Sequence, residues 1–202
     1  MSPPSSDRGT LFTMIPETAV RKIADALTAA VDRAGAASPV AEVERALREL
    51  AGAGDLVLPD RLARPCADRY ARHLVHRDPA GRFTVLAMVW GPGQGTPLHD
   101  HDGLWGVECV AAGEIEAEAY RHVGHDEEGA DRFELLAVDR GGVGATGTLE
   151  PPLEYHVMRN PRSDSRAVTV HVYGGELTRC RVFHPLGGDR YRPEARTLTL
   201  DD

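Results

Sequence analysis

Cysteine is scarce in this sequence. The three cysteines, Cys66, Cys109 and Cys180, form neither an even set nor a CxxC pair. We therefore expect reduced thiols, as in the cytosol, and no disulfide framework. Also missing is any apolar run close to the roughly 20 residues that a transmembrane helix needs. The first fifteen residues lack the charged start and apolar middle of a secretory signal, so a cytoplasmic protein without membrane contacts is predicted.

Basic residues are also fewer than acidic ones, with 23 Lys and Arg against 31 Asp and Glu. The formal net charge of the 202-residue chain is -8 at pH 7, which argues against a broad basic surface for nucleic acid or anionic lipid. No segment resembles a DNA-binding helix pair. Hydrophobic residues make up 42% and charged residues 27%, as is usual for globular proteins. The length fits one domain, and we expect a monomer, with oligomers as the open alternative.

The chain has a helical start. Residues 1–10 are rich in serine, proline and charge, so they are predicted to be disordered. Apolar residues at spacings of three and four predict one helix that begins at Pro16 and a second that begins at Ser38. A third, weaker helical pattern covers residues 61–74. We therefore predict a helical segment over residues 11–80 that packs on the rest of the single domain.

The pattern changes near residue 82. Six or more short runs follow, bounded by glycine, proline or acidic turns. Several of them alternate polar and apolar residues, and β-branched residues recur, as in β-strands. The sequence therefore predicts a mainly β chain in which residues 81–202 form an antiparallel barrel or sandwich behind N-terminal α-helices.

Two histidines stand one residue apart in "GPGQGTPLHDHDG". In a strand, His99 and His101 would point to the same face. Neutral imidazole is the commonest protein ligand for metals, so this pair supplies part of a candidate first-row metal site. The alternative is that both are surface histidines next to Asp100 and Asp102.

The segment around this pair resembles the first motif of the cupin superfamily. "GTLEPPLEYHVMRN", with His156 and Asn160, resembles the second motif. This resemblance implies a double-stranded β-helix (jelly-roll) barrel. The usual cupin glutamate, four or five residues after the second histidine, is replaced by Trp105 or Gly106. We expect the later Glu108 to face solvent or to pair elsewhere on its strand, and a bend into the site is the alternative.

The missing glutamate and the flanking sequence resemble the thiol dioxygenases, the cysteine dioxygenase family of cupins. The likeness runs from about Tyr70 to Pro185 and includes "YARHLVHRDPAGRFTVLAMVW", "YHVMRN" and "RAVTVHVYGG". It implies a mononuclear non-haem Fe²⁺ held by three histidines. It also implies a Ser-His-Tyr relay close to the iron, in which a threonine here replaces the serine. The implied metal ligands are His99, His101 and His156, and the implied catalytic relay is Thr169, His171 and Tyr173.

Two further positions bear on the substrate. In the family, an arginine two positions after a tyrosine binds the substrate carboxylate, and Arg72 stands there. Tyr173, oriented by His171, is expected to donate a hydrogen bond to that carboxylate or to the iron-bound oxygen. A sister group that acts on 3-mercaptopropionate usually has glutamine at that position, although the Trp-Gly pair that ends at Gly106 also looks like that group. Mammalian members have a cysteine at the position of Gly106 that crosslinks to the tyrosine. Tyr173 is therefore expected to stay uncrosslinked, as in bacterial members.

The resemblance implies an enzyme that oxidises L-cysteine to cysteine sulfinic acid with both atoms of O2. The first alternative is 3-mercaptopropionate or another small thiol as substrate. A cupin enzyme that uses Zn, Mn or Ni for isomerisation or hydrolysis is a second alternative, and a non-catalytic binding cupin is a third. His122 and His125 are interpreted as solvated histidines at a hairpin turn.

Overall fold

The computed structural model describes residues 11–201, and side chains from residue 18 onward. The prediction of disorder for residues 1–10 lies outside the described residues. Two helices precede eleven strands, which confirms the predicted mainly β class with N-terminal helices. The elements are α1 Leu11–Ala34, α2 Val40–Gly52, β1 Ala71–Arg77, β2 Thr84–Trp90, β3 Leu98–His99, β4 Gly106–Ala112, β5 Glu114–His125, β6 Asp131–Gly142, β7 Thr146–Leu149, β8 Tyr155–Arg159, β9 Ala167–Tyr173, β10 Arg179–Gly187 and β11 Arg190–Thr197.

The two helices cover one face of the strands. Apolar residues of α2 recur at spacings of three and four and are buried, as their pattern predicts. They share a core with Val107 and Cys109 of β4 and with Val170 and Val172 of β9. Each such buried side chain contributes about 1.5–3 kcal/mol. Within residues 11–201, no helix is both long and apolar enough to cross a bilayer.

The third predicted helix, over residues 61–74, is wrong. A short 3-10 turn at Asp60–Leu62 is followed by the strand β1. Pro65 disfavours a helix here because it has no N–H to donate. The strand is fixed by distant partners, since the main-chain N–H of Arg72 donates to Asp201 Oδ2 at 2.9 Å and Arg72 O accepts from the N–H of Asp201 at 2.8 Å.

All strand pairs are antiparallel and form two sheets. The first has the order β1-β2-β9-β4-β7, and the second closes on itself in the order β10-β11-β6-β5-β8-β3. The predicted boundary between residues 80 and 81 separates the paired strands β1 and β2, so the barrel begins earlier, at Ala71. Strand β9 lies between β2 and β4 and is buried along its whole length.

The closed sheet encloses a core of its own. Leu98, Phe133 and Phe183 are buried in it, and the rings of Tyr155 and Tyr191 pack against Phe133 at 5.1 and 5.4 Å between centroids. We call these five residues the aromatic cluster. Successive side chains of a strand point to opposite faces. Each of the strands β3 and β8 therefore presents one face to this cluster and the other to the first sheet.

Candidate metal centre

Three imidazoles converge where β3 and β8 pair. His99 and His156 lie directly opposite each other, and their Nε2 atoms are 3.3 Å apart. The ring of His101, just beyond β3, lies 4.9 Å from each of the other two rings, which are themselves 4.6 Å apart. We call this group the histidine triad. One nitrogen from each residue lies within 4.8 Å of the others, close enough for a single ion to bind all three.

The HDH stretch turns both histidines to one side because Asp100, between them, is fixed on the other side. Asp100 Oδ1 accepts from the main-chain N–H of Arg181 at 2.8 Å, and Oδ2 accepts from Arg181 Nε at 2.7 Å. The main-chain N–H of His101 donates to a carboxylate oxygen of Glu154 at 3.2 Å. The orientation of the pair is thus set by groups outside the triad.

The environment of the triad favours neutral imidazole, the form that binds metal ions. Burial lowers the pKa of His101 and His156 well below the ordinary histidine value, and the same cause lowers the pKa of half-buried His99. His99 Nδ1 lies 3.0 Å from the carbonyl oxygen of Pro97, to which it can donate only when protonated. This bond leaves Nε2 unprotonated and directed at the triad.

A first-row metal ion fits this donor set. Both ring nitrogens of His101 are buried and have no hydrogen-bond partner among the described residues. Buried polar atoms without partners are rare, and here a ligand would supply the missing interaction. Three imidazoles suit iron, zinc, copper or nickel, so the donor chemistry alone does not select one of them.

A second chain of polar side chains runs along β9 beside the triad. Thr169, His171 and Tyr173 alternate along the strand and are each buried. Thr169 Oγ1 lies 2.6 Å from His171 Nε2, and the Tyr173 hydroxyl lies 3.0 Å from His171 Nδ1. The Tyr173 ring stacks on that of His101 at 5.5 Å, so the chain ends at the triad. Burial raises the pKa of Tyr173 well above its ordinary value, and its hydroxyl therefore remains a proton donor at neutral pH.

Trp90 extends this chain by one member that sequence reasoning missed. Its indole N–H donates to Thr169 Oγ1 at 2.9 Å, and its side chain is fully buried. The Thr169 hydroxyl can accept this bond and still donate its own proton to His171. The pairing of β2 with β9 explains this contact, because Met88 lies across from Thr169 and Trp90 is two positions further along the same face of β2.

The expectation that Glu108 faces solvent or pairs elsewhere is wrong. Glu108 lies directly across from His171 in the β4–β9 pair, and only 5% of its surface is exposed. Its Oε1 lies 3.0 Å from His171 Nδ1 and 3.7 Å from His156 Nε2. Neither contact is a hydrogen bond, since Oε1 has no hydrogen-bond partner among the described residues. A buried carboxylate oxygen therefore faces the site and lacks a proton donor.

Arg72 comes to the same site from β1. Only 4% of its surface is exposed, and with His99 and Tyr173 it lines a cavity of about 30 Å³. Its guanidinium donates to the carbonyl oxygens of Thr199 and Leu177 at 3.3 and 3.2 Å. Arginine has five N–H donors, so others remain for a ligand. On the other side of the triad, Glu108 lines a larger cavity of about 310 Å³ together with His156 and Thr169.

The comparison with protein families decides where this chain belongs. The family model of cysteine dioxygenase type I matches residues 58–185, which is more than half of the chain. The chain belongs to the cysteine dioxygenase type I family. This membership supports a thiol dioxygenase of cupin type, and the matched range contains the triad, the β9 chain, Glu108 and Arg72.

Several solved structures have similar folds at low sequence identity to this chain. TT1209 from Thermus thermophilus is 24% identical over 57% of this chain and 92% of its own, with a TM-score of 0.40. An uncharacterised conserved protein with a double-stranded β-helix domain from Klebsiella pneumoniae is 20% identical over 61% of this chain and 86% of its own, with a TM-score of 0.45. The cupin domain of Schizosaccharomyces pombe Cnp3 is 11% identical over 53% and 60%, with a TM-score of 0.39.

This member of the cysteine dioxygenase type I family has glycine directly across from the β9 tyrosine. Gly106 pairs with Tyr173, and a Cβ atom on Gly106 would lie 3.2 Å from the Tyr173 ring. Cys109 lies at the opposite parity of β4, in the core beneath the helices, where burial raises the pKa of its thiol to about 11. It faces away from Tyr173, as expected for a packing cysteine.

Proposed function

We propose that this protein is an iron-dependent dioxygenase that converts L-cysteine to cysteine sulfinic acid. The supporting observation is one site that combines three metal-competent imidazoles, a protonated tyrosine and a buried arginine. Both atoms of O2 end on the sulfur, so the reaction needs no external reductant. A ferrous ion held by His99, His101 and His156 would bind the thiolate and activate O2.

The residues around the triad have separate tasks in this proposal. Arg72 binds the carboxylate of cysteine, since a guanidinium can donate two parallel hydrogen bonds to it. Tyr173 donates its hydroxyl proton to a substrate oxygen, and loss of one such preorganised donor typically costs on the order of 10²-fold in rate. His171 orients Tyr173, while Thr169 and Trp90 hold His171 from the far side.

A second candidate substrate is a thiol that carries an ammonium group and no carboxylate. It is favoured by Glu108, whose buried Oε1 has no proton donor among the described residues and which lines the larger of the two cavities. An ammonium group placed there would supply both a donor and an opposite charge. If a carboxylate is required, 3-mercaptopropionate is the main alternative to L-cysteine as substrate, because it also has a carboxylate that Arg72 can bind.

The test is oxygen uptake on a panel of small thiols after anaerobic loading with Fe²⁺. We expect the highest kcat/KM for L-cysteine, with about one iron per chain and sulfinate formed in proportion to O2. A preference for 3-mercaptopropionate would overturn the substrate assignment, and a preference for 2-aminoethanethiol would support the second candidate. Stoichiometric zinc without thiol-dependent oxygen uptake would overturn the dioxygenase assignment itself.

The remaining expectations belong to the same proposal. The partners are the small thiol and O2, and the protein acts as a cytoplasmic monomer. Sedimentation of the iron-loaded protein at micromolar concentration tests the oligomeric state, since a monomer of this chain has a mass of 21.9 kDa.

A further inference from the structure

A second group of potential metal-binding side chains lies where β5 ends and β6 begins. Asp131 Oδ1 is 2.7 Å from His122 Nε2 and 3.1 Å from His125 Nε2. The Asp131 side chain is buried, with 7% of its surface exposed, whereas the side chains of His122 and His125 are 26% and 61% exposed. His122 and His125 are therefore not simply solvated turn residues, because both converge on one buried carboxylate oxygen.

A β-bulge brings the two histidines to the same face. In a regular strand, residues three apart point to opposite faces. Here His122 pairs with Phe133 and Gly124 with Arg132, which leaves Val123 as the extra residue of a bulge. His125 then lies directly across from Asp131. Bulges commonly redirect a side chain in this way, often next to functional sites.

The position of the group is defined by packing as well as by the strands. The His122 ring lies 5.1 Å from the Phe133 ring and 5.9 Å from the Tyr155 ring, at one end of the aromatic cluster. The His125 ring meets the His122 ring at 5.2 Å with an angle of 75° between their planes. The rings of Phe133 and Tyr155 pack against His122 and hold it in place. His125 is largely exposed, so an ion can reach the group from solvent.

We infer that His122, His125 and Asp131 form a second divalent metal site, which takes a zinc-like ion. Two imidazoles and one carboxylate are a common donor set for such ions, with further positions open to water. Bonds of about 2.0–2.2 Å in a tetrahedral arrangement place ligand atoms roughly 3.3–3.5 Å apart. To admit the ion, the 3.1 Å distance from Asp131 Oδ1 to His125 Nε2 needs to open by about 0.2–0.4 Å, and the 2.7 Å distance to His122 Nε2 by about 0.6–0.8 Å.

This site is separate from the histidine triad. Tyr155, which packs against His122, and His156 of the triad are consecutive residues of β8, so their side chains point to opposite faces. The bound ion would join the end of β5 to the start of β6, and its role would be to stabilise the closed sheet. The proposal does not depend on the reaction at the triad.

Calorimetric titration of ZnCl2 into the full chain tests the proposal. The titration uses a His156→Ala background so that the triad does not dominate zinc uptake. We expect one Zn²⁺ per chain, and an added His125→Ala should weaken its affinity at least about 100-fold, since even supporting residues of a metal site are typically worth 10–100-fold. Asp131→Asn should do the same. The matched control is His184→Ala, which removes another surface histidine paired with a carboxylate at 2.7 Å and should leave zinc binding unchanged.

A second measurement reports folding directly. Zinc at about 100 times its dissociation constant should raise the midpoint of thermal unfolding by about 5–10 °C in the His156→Ala protein, and not after His125→Ala is added. Because His125 is largely exposed, its replacement should not unfold the protein. Equal zinc affinity with and without His125, or no zinc binding in the His156→Ala background, would overturn the inference.

Discussion

Replacement of Arg72 by glutamine tests the substrate assignment most directly. The guanidinium is buried and lines the same cavity as His99 and Tyr173. A hydrogen bond to a charged group contributes about 1.5–3 kcal/mol, which corresponds to roughly 10- to 150-fold in binding. Glutamine keeps two amide donors, so one bond to the carbonyl oxygen of Leu177 or Thr199 can survive and the fold should be retained.

We therefore expect Arg72→Gln to raise the KM for L-cysteine by roughly 10- to 150-fold, with a smaller change in kcat. The KM for 3-mercaptopropionate should change far less, because the sister group that acts on this thiol usually has glutamine at this position. Initial rates of oxygen uptake against thiol concentration, with Fe²⁺ restored, give both values.

The control for this prediction is Arg77→Gln on the same strand. Arg77 is 49% exposed and pairs with Glu176 on the surface, so its replacement should leave both KM values within about twofold of the parent. Equal changes in KM for the two thiols after Arg72→Gln would remove the argument that Arg72 selects cysteine. An unchanged KM for cysteine would remove Arg72 from the binding site.

Three other predictions address metal binding, crosslinking and stability. His156→Ala should reduce the iron content to near zero by elemental analysis, and iron equal to that of the parent would count against its role as a ligand. Denaturing gels of the active enzyme should show one band, and a crosslinked peptide that contains Tyr173 would refute the interpretation of Gly106. Asp78 accepts three hydrogen bonds from Arg82. These bonds are the main reason that the pKa of Asp78 falls to about 2. A lowered folded-state pKa stabilises the fold above about pH 4, the value of an unfolded aspartate, and this contribution is lost as the pH falls toward 2. Asp78→Asn should therefore lower the free energy of unfolding at pH 7 by about 1.5–3 kcal/mol in urea titrations, with little effect near pH 2.

Local patterns were sufficient for the parts of the site that lie within one strand. The alternation of Thr169, His171 and Tyr173 predicts their common face, and the strand buries all three together. The position of Glu108 in the site is not predicted by its distance from the second histidine, which differs from that of the usual cupin glutamate. Its parity with Gly106 on β4 was the better signal, since that position faces Tyr173.

Non-local contacts explain what the sequence could not predict. Strand β1 is rich in charged and polar residues and is extended because β2 and Asp201 bind its main chain, the latter from 129 residues away. The common face of His122 and His125 depends on a bulge whose position is set by the partner strand β6. A period of two, read along β5 alone, places these histidines on opposite faces.

The two faces of strand β8 contact different parts of the protein. Tyr155 belongs to the interior of the closed sheet, and the next residue, His156, belongs to the triad. A substitution that repacks the rings around Tyr155 would therefore also shift His156, because the two residues are neighbours on one strand. Under the proposed function, Phe133 and Phe183 would thus help to position a metal ligand although they do not line its site.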